Sequence, residues 1–379
     1  MKVGIDARFY GPEGTGIGRY VEKLLENLET LDSENEYFVF LRDSNFPLFN
    51  PKADNFTKIK ANARWYSLKE QVIMPAVLLK QKLDLVHFPH FNIPLLYPGK
   101  FVVTIHDLTK SNFGSKAAST RAFPLYLAKQ NLYKVTLNQA VSKAKMIFVP
   151  TVHVKDELIE RMKIKSEKIV VTYESAEEFY DPEFTPSEGK IREILGKYSI
   201  KPPYLLFVGN TFPYKNVEVI LEALAKLDSQ IKFVCVAPRN NFLDRLVRTA
   251  DGLGVKNRLI ATGFVSDEDL KVLFNQALCF VFPSLSEGFG LPGLEAMGVG
   301  CPVIATSATS LPEVYGEAAL YFEPKNPVEL AKKINLITSS ETLRRELVAQ
   351  GYQQVRKYSW RKLAQQTLKV YKVVLGQGS

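Results

Sequence analysis

Two glutamates, Glu287 and Glu295, stand eight positions apart in the segment SLSEGFGLPGLEAM, directly after the apolar run CFVFP. Gly288, Gly290, Gly293 and Pro292 lie between them. Glycine lets backbone N–H groups approach a ligand closely, which makes the main chain around Phe289, Gly290 and Leu291 a candidate binding loop. Pro292 suits the first turn of a helix. Glu295 is then expected within that first turn, near the positive end of the helix dipole. A carboxylate held there can accept hydrogen bonds from two neighbouring hydroxyls, as on a ribose. Glu287, one loop earlier, can address a sugar or its leaving group. The plainer alternative is that Glu295 complements the dipole and Glu287 caps a turn. The pairing of both residues after a buried strand favours chemistry.

Other residues could serve the same reaction. Lys215 and Asn216 precede a helical pattern, and an ammonium there can face a phosphate. A lysine is not the charge that a positive helix end prefers, so the placement points to an anionic ligand. Gly11, Gly14, Gly16 and Gly18 form a loop before the first helix. A helix entered through such a loop offers its positive end to an anion. GTGIG lacks the third glycine of a dinucleotide fingerprint, and no Gly-Lys-Ser/Thr follows to make a Walker loop. His106 and Asp107 end the apolar run FVVTIHD. His87 and His90 have the i, i+3 spacing of metal ligands, but the proline between them spoils helical spacing and no ligand cluster accompanies them, so zinc is not expected. Asp267 and Asp269 form an Asp-x-Asp, and Ser266 with Asp269 reads as a structural capping box.

These residues need positioning elements. KVGIDARF, YFVFL, LDLVHFP, FVVTIHD and MIFVP read as strands, with helical patterns between most of them, beginning with residues 16–31. That is the grammar of a parallel sheet covered on both faces. The proline- and charge-rich stretch 181–190 reads as a linker, after which YLLFVGN, KFVCVAP, LIATGF, CFVFPS and PVIATS repeat the pattern. A terminal amphipathic helix closes the chain. Two doubly wound units are therefore expected, with ligand loops at the carboxyl ends of the strands and a cleft between domains for small molecules.

The bulk properties agree. At 379 residues the chain exceeds one typical core. Hydrophobic residues make up 46% and charged ones 23%, the mix of a soluble globular protein. Cys235, Cys279 and Cys301 sit among apolar neighbours and read as reduced thiols of a cytoplasmic protein. The opening MKVGIDARFY reads as a strand, with no signal peptide, and the apolar runs fall below the ~20 residues of a membrane span. The net charge is +9, and no acidic residue lies between Asp107 and Asp156. Lys110, Lys116, Arg121, Lys129, Lys134, Lys143, Lys145 and Lys155 lie there, with Phe113, Phe123, Tyr126 and Tyr133 interleaved. The stretch is either a solvated helix face or a surface for an anionic partner: a membrane leaflet or a lipid-linked phosphate, with nucleic acid the weakest choice.

On GTGIGRY, TIHD, LLFVGNTFPYKN and PSLSEGFGLPGLEAMGVGCPVIATSATSLPEV, the chain resembles a retaining glycosyltransferase of family 4 with the GT-B fold. The resemblance implies an α/β architecture of two Rossmann-like domains: residues 1–180 for the acceptor, 191–355 for the nucleotide-sugar donor, and a terminal helix, 356–379, crossing back to the first. It implies that Glu287 lies near the donor sugar and that Glu295 holds the nucleotide's ribose. Gly288, Phe289, Gly290 and Leu291 match the loop for sugar hydroxyls and phosphate. Lys215, with Asn216 beside it, matches the lysine that neutralises the diphosphate, Gly16 the first-domain glycine loop, and His106 the histidine near the reacting carbon. The catalytic set implied is His106, Lys215 and Glu287, with no metal.

The family arginine near that lysine is replaced by Asn210 or Tyr214, which leaves Arg19 as a candidate for the missing cation. The motifs look most like the mannosyltransferase branch that uses GDP-mannose, with a glycan or lipid-linked acceptor and peripheral attachment to the inner face of a membrane. A UDP-sugar donor, or a non-catalytic binding protein, is the alternative. In this family the reaction retains configuration, the diphosphate leaves against fixed positive charge, and domain closure excludes water.

Overall fold

A computed structural model describes residues 1–109, 123–227 and 230–377, with the backbone alone for 123–129. The chain forms two compact units, Met1–Glu174 with Ser359–Ser379, and Ser175–Tyr358. The stretch 181–190 lies inside the second unit, and its last residues open the helix Glu188–Lys197.

In the first unit the strands are β1 (Lys2–Asp6), β2 (Glu36–Leu41), β3 (Phe56–Lys60), β4 (Leu85–Phe88), β5 (Phe101–Thr104), β6 (Ile147–Val149) and β7 (Ile169–Val171). They form one sheet in the order β3-β2-β1-β4-β5-β6-β7, with every pairing parallel. β4, β5 and β6 are buried at every residue, as strands covered by helices on both faces must be. The periodicity expectation missed β3 and β7. FTKIK buries only Phe56 and carries two lysines, the composition of a sheet edge.

The helix α1 (Thr15–Leu31) buries Gly18, Val21, Leu25 and Leu28 on one stripe and Tyr20 and Leu24 beside it, the three-and-four spacing of a core-facing helix. The terminal helix Trp360–Leu375 packs on α1. Its Tyr371 hydroxyl lies 2.5 Å from His87 Nδ1, so the helix is locked to β4 as well as to α1.

The second unit repeats the plan with β8 (Tyr204–Val208), β9 (Lys232–Val236), β10 (Leu259–Ala261), β11 (Cys279–Phe282), β12 (Val303–Thr306) and β13 (Ala319–Phe322). The order is β10-β9-β8-β11-β12-β13, again all parallel. β13 escaped the sequence reading because ALYF is half-exposed at the sheet edge. Cys235, Cys279 and Cys301 are buried free thiols, and burial raises the pKa of each. Ser266 Oγ accepts from Asp269 N at 3.3 Å, the capping role expected of it. Asp269 itself accepts from Lys197 Nζ at 2.5 Å and Tyr198 Oη at 2.8 Å. Burial pushes its carboxyl up, but these hydrogen bonds outweigh it and hold the pKa below the usual range.

In each sheet the strand order reverses beside the first strand of its unit, between β1 and β4 and between β8 and β11. Loops leaving the carboxyl ends of two such strands diverge and leave room for a ligand. The loops after β8 and β11 are those that carry Lys215 and Glu287.

Candidate active site

The loop after β8 ends in a single 3₁₀ turn, Pro213–Lys215, closed by Asn216 in the left-handed region at φ +53°. Asn216 Nδ2 donates to Pro283 O at 3.2 Å, and Leu285 N donates to Tyr214 O at 2.8 Å. These two bonds stitch the β8 loop to the β11 loop. As a result Lys215 Nζ meets Glu287 Oε1 at 2.5 Å, with the side chains only 16% and 13% exposed. A pair so sheltered from water is screened far less than a surface one. Glu287 Oε1 is therefore turned to Lys215 rather than capping a turn.

Two residues that the sequence reading gave no role hold Glu287 in place. Its N–H donates to Thr309 Oγ1 at 3.1 Å, and its carbonyl accepts from Ser310 Oγ at 3.0 Å. Both come from the loop after β12, some twenty positions along the chain. The segment ATSLPEV carries part of the family resemblance, but nothing in it names a partner.

The helix after β11 starts at Leu291 and runs to Gly298. Gly290 caps it at φ +101°, a conformation that side chains rarely adopt. Its carbonyl accepts from the buried Tyr315 hydroxyl at 2.5 Å. The three glycines expected to free the backbone therefore differ in role. At Gly290 the backbone requires glycine. At Gly293 a Cβ would collide with the Tyr315 ring, so that glycine serves packing. Glu295 lies one position beyond the expected first turn, because the helix already begins at Leu291, one residue before Pro292. It is buried, at 5% exposure. Phe289 is buried too, its ring edge-on to Tyr358 at 5.4 Å. Gly288 is buried beside it and Leu291 is half-buried.

Tyr214 stands where the family resemblance expects an arginine. Its ring lies 5.4 Å from Lys215 Nζ, so it meets that cation with a π face instead of adding a second charge. Asn210 is half-buried. Arg245, paired with Glu218 at 3.2 Å, lines a small hollow with Thr211 and Asn216, and the sequence reading passed over it.

In the first unit, Gly14 and Gly18 are packing glycines, since a Cβ on either would strike the main chain of Phe9 or Gly11. A Cβ on Gly16 would meet nothing, and Gly16 is exposed. Gly16 and Gly18 lie in α1 rather than in the expected loop before it, and Gly16 is the one of the four glycines whose bareness the fold itself does not require. Arg19 follows on α1, half-buried.

His106 lies two residues beyond the end of β5 rather than on it. Nδ1 is 3.0 Å from Glu174 Oε1 and Nε2 is 2.9 Å from Pro89 O. Asp107 is exposed and accepts from Thr109 N at 2.8 Å, a local turn. His87 and His90 serve structure. His87 is fully buried between Tyr371 and Thr104, and His90 Nδ1 accepts from Asn92 N at 3.1 Å. Among the described residues no group of three or more His, Cys, Asp or Glu side chains is placed to hold a metal ion.

A further constellation at the first unit's reversal point went unread. Arg8, with no side-chain exposure, bonds Asp6 Oδ2 at 2.7 Å, Glu70 Oε1 at 2.6 Å and Ala63 O at 3.0 Å. Asn92 Nδ2 donates to both Glu70 oxygens, at 2.7 and 2.8 Å. Aspartate and arginine in VGIDARF carry no periodic signal, so their burial was invisible in sequence.

The profile described as "Glycosyltransferase Family 4" matches residues 14–175, and that described as "Glycosyl transferases group 1" matches residues 189–354. O-antigen chain mannosyltransferase B of Escherichia coli is 28% identical over 95% of this chain and 96% of its own length. The serotype-specific mannosyltransferase WbdA of Escherichia coli is 32% identical over 62% of this chain, which spans 30% of that longer protein. Among solved structures, sucrose-phosphate synthase from Thermosynechococcus elongatus superposes with a TM-score of 0.79 at 18% identity, over 99% of each chain. The two family profiles, which together span most of the chain, make it a glycosyltransferase. It belongs to glycosyltransferase family 4, with the GT-B fold.

Proposed function

We propose that this glycosyltransferase moves mannose from GDP-mannose to a glycan or lipid-linked acceptor, with retention at the anomeric carbon. The observation that carries the reading is the sheltered Lys215–Glu287 pair beside the glycine-fronted helix at the second unit's reversal point. The mannosyltransferases similar to this chain support the choice of sugar.

In this reading the donor's diphosphate lies against Lys215 and the N–H groups that open the helix Leu291–Gly298. An ammonium has three donors, so Lys215 can keep Glu287 and still bond a phosphate oxygen. Glu287 Oε2 is then left to accept from a sugar hydroxyl. As the bond to the anomeric carbon breaks, charge grows on the leaving diphosphate, where a fixed donor is worth about 3 kcal/mol. Glu295 accepts from the two ribose hydroxyls. Gly16, Arg19 and His106 serve the reaction from the first unit, Arg19 as the further cation. The chemistry asks for no metal, because lysine and helix N–H groups meet the charge that a divalent ion would otherwise neutralise.

The test is a melting series with GDP, UDP and ADP, followed by incubation with GDP-mannose and a panel of sugar acceptors. A ligand that binds only the folded chain raises its melting temperature. GDP is expected to give the largest rise, and the anomeric configuration of the product reads out retention. A larger rise with UDP would move the donor to a UDP-sugar.

Glu295→Ala is expected to weaken GDP binding by about 10- to 100-fold, the loss of hydrogen bonds to a charged acceptor. Calorimetric titration measures it, and unchanged affinity would remove Glu295 from the ribose.

No helix among the described residues is long and apolar enough to cross a membrane. Of the basic stretch, Lys110, Lys116 and Arg121 lie outside the described residues, whereas Lys134, Lys143 and Lys145 are exposed. We assign this basic stretch to an anionic membrane surface. Replacing those three with glutamine is expected to reduce co-sedimentation with anionic vesicles and to spare GDP affinity; equal sedimentation would leave the stretch merely solvated.

A further inference from the structure

Both ring nitrogens of His106 face acceptors. Nδ1 lies 3.0 Å from Glu174 Oε1, and Nε2 lies 2.9 Å from the carbonyl oxygen of Pro89. A carbonyl oxygen only accepts, and so does an ionised carboxylate, so each contact needs a proton on the nitrogen. A neutral imidazole carries one proton and leaves one of these contacts as two facing lone pairs. The side chains of His106 and Glu174 are 14% and 8% exposed, so water is poorly placed to substitute.

His87, one strand away, shows what the neutral alternative looks like. Its partners are the hydroxyls of Tyr371, at 2.5 Å, and Thr104, at 2.8 Å. A hydroxyl can donate or accept, so a one-proton imidazole is satisfied there. Burial, and then the charge of His106, push His87 down to about 3. The partners of His106 have no such freedom.

We propose that Glu174 is a positioning residue that holds His106 as an imidazolium, protonated on both ring nitrogens, and so removes it as a general base for the transfer. The protonation state rests on the first unit's geometry alone; only its consequence for transfer rests on the reading above. Three loops make the arrangement. Pro89 follows β4, His106 follows β5 and Glu174 follows β7, all at the carboxyl edge of one sheet. Of the remaining charged and titratable neighbours, Asp107 adds negative charge next along the chain. From α1, Tyr20 sets its ring edge-on at 4.8 Å, with its hydroxyl 3.0 Å from Thr104. Burial pulls the His106 pKa down, but the hydrogen bond and charge of Glu174, the Pro89 carbonyl and Asp107 together carry it above the ordinary histidine value. A histidine so held cannot take a proton from an acceptor hydroxyl. What it offers the reaction is a fixed positive charge.

The experiment is a nitrogen-15 spectrum of the full chain labelled at its four histidines, with His106 assigned by substituting the other three in turn. The expected result is two protonated ring nitrogens on His106 at pH 7.5, about one unit above the ordinary histidine value. In Glu174→Gln the amide can donate to Nδ1, which makes the neutral ring acceptable. Its titration midpoint is expected to fall by about one pH unit or more, a tenfold loss of proton affinity. The transfer rate of Glu174→Gln is expected to step down across its new midpoint, at a lower pH than that of the wild type. One bare nitrogen on wild-type His106 at pH 7.5, or an unmoved midpoint in Glu174→Gln, overturns the proposal. If Glu174→Gln does not fold, the wild-type spectrum decides alone. The spectrum needs no donor, so a chain that bound no GDP yet showed the doubly protonated ring would sink the mannosyl-transfer reading and leave this one standing.

Discussion

Lys215→Ala is expected to lower the rate of sugar transfer by about 10²–10³-fold, the measured scale for removing one fixed donor from a developing negative charge. The effect should appear in kcat as well as in kcat/KM, because the ammonium matters most when the diphosphate carries its full charge. The substitution also leaves Glu287, only 13% exposed, without its cation. Some loss of melting temperature is therefore expected, and it must be separated from the loss of rate. Combining Lys215→Ala with Glu287→Gln removes the stranded charge, so stability should recover while the rate does not. Tyr214 offers no replacement, since a π face neutralises no phosphate. A Lys215→Ala enzyme working within threefold of wild type would show that the leaving group is neutralised elsewhere, with Arg19 or Arg245 the next residues to substitute.

The second large effect concerns the fold of the first unit. Arg8→Met is expected to cost about 3–5 kcal/mol, the usual range for removing one partner of a buried ion pair. Arg8 makes ion pairs with both Asp6 and Glu70, and none of the three side chains is more than 3% exposed. Methionine fills a comparable volume, so the loss is one of charge compensation more than of packing. Burial already pushes the Glu70 carboxyl above its ordinary range, against the pull of Arg8 and Asn92. Without Arg8 it should rise further. A carboxyl whose folded pKa is raised contributes stability in full below its unfolded pKa and loses it as pH rises through the folded value. The variant should therefore be least deficient near pH 5 and most deficient near pH 8, as denaturant melts at the two values would show. A loss below about 1 kcal/mol, or one independent of pH, would mean that Asp6 and Glu70 find other partners.

Much of the architecture was legible because a parallel sheet covered on both faces must be written in continuous apolar runs. YLLFV, KFVCV and CFVF could be little else, and α1 announced itself by the spacing of Val21, Leu25 and Leu28. The edges were harder. FTKIK and ALYF are half-exposed, so they carry no run of that kind, and the stretch 181–190 looked like a linker yet opens a helix inside the second unit.

At the site, local spacing alone singled out Lys215, Glu287 and Glu295, with the glycines between the two glutamates, as candidates for binding. What tertiary structure alone decided was who faces whom. The chain reversal beside β8 brings Lys215 against Glu287 across 72 positions. The loop after β12 then fixes Glu287 through Thr309 and Ser310, and Tyr315 claims Gly290 and Gly293 for packing. Glu174, 68 positions from His106, sets that ring's protons. Local backbone conformation and the period of the apolar residues depend on neighbours within a few positions, so a sequence displays them. Charge compensation depends on which loops meet at the end of a sheet, and only the folded chain supplies that distance.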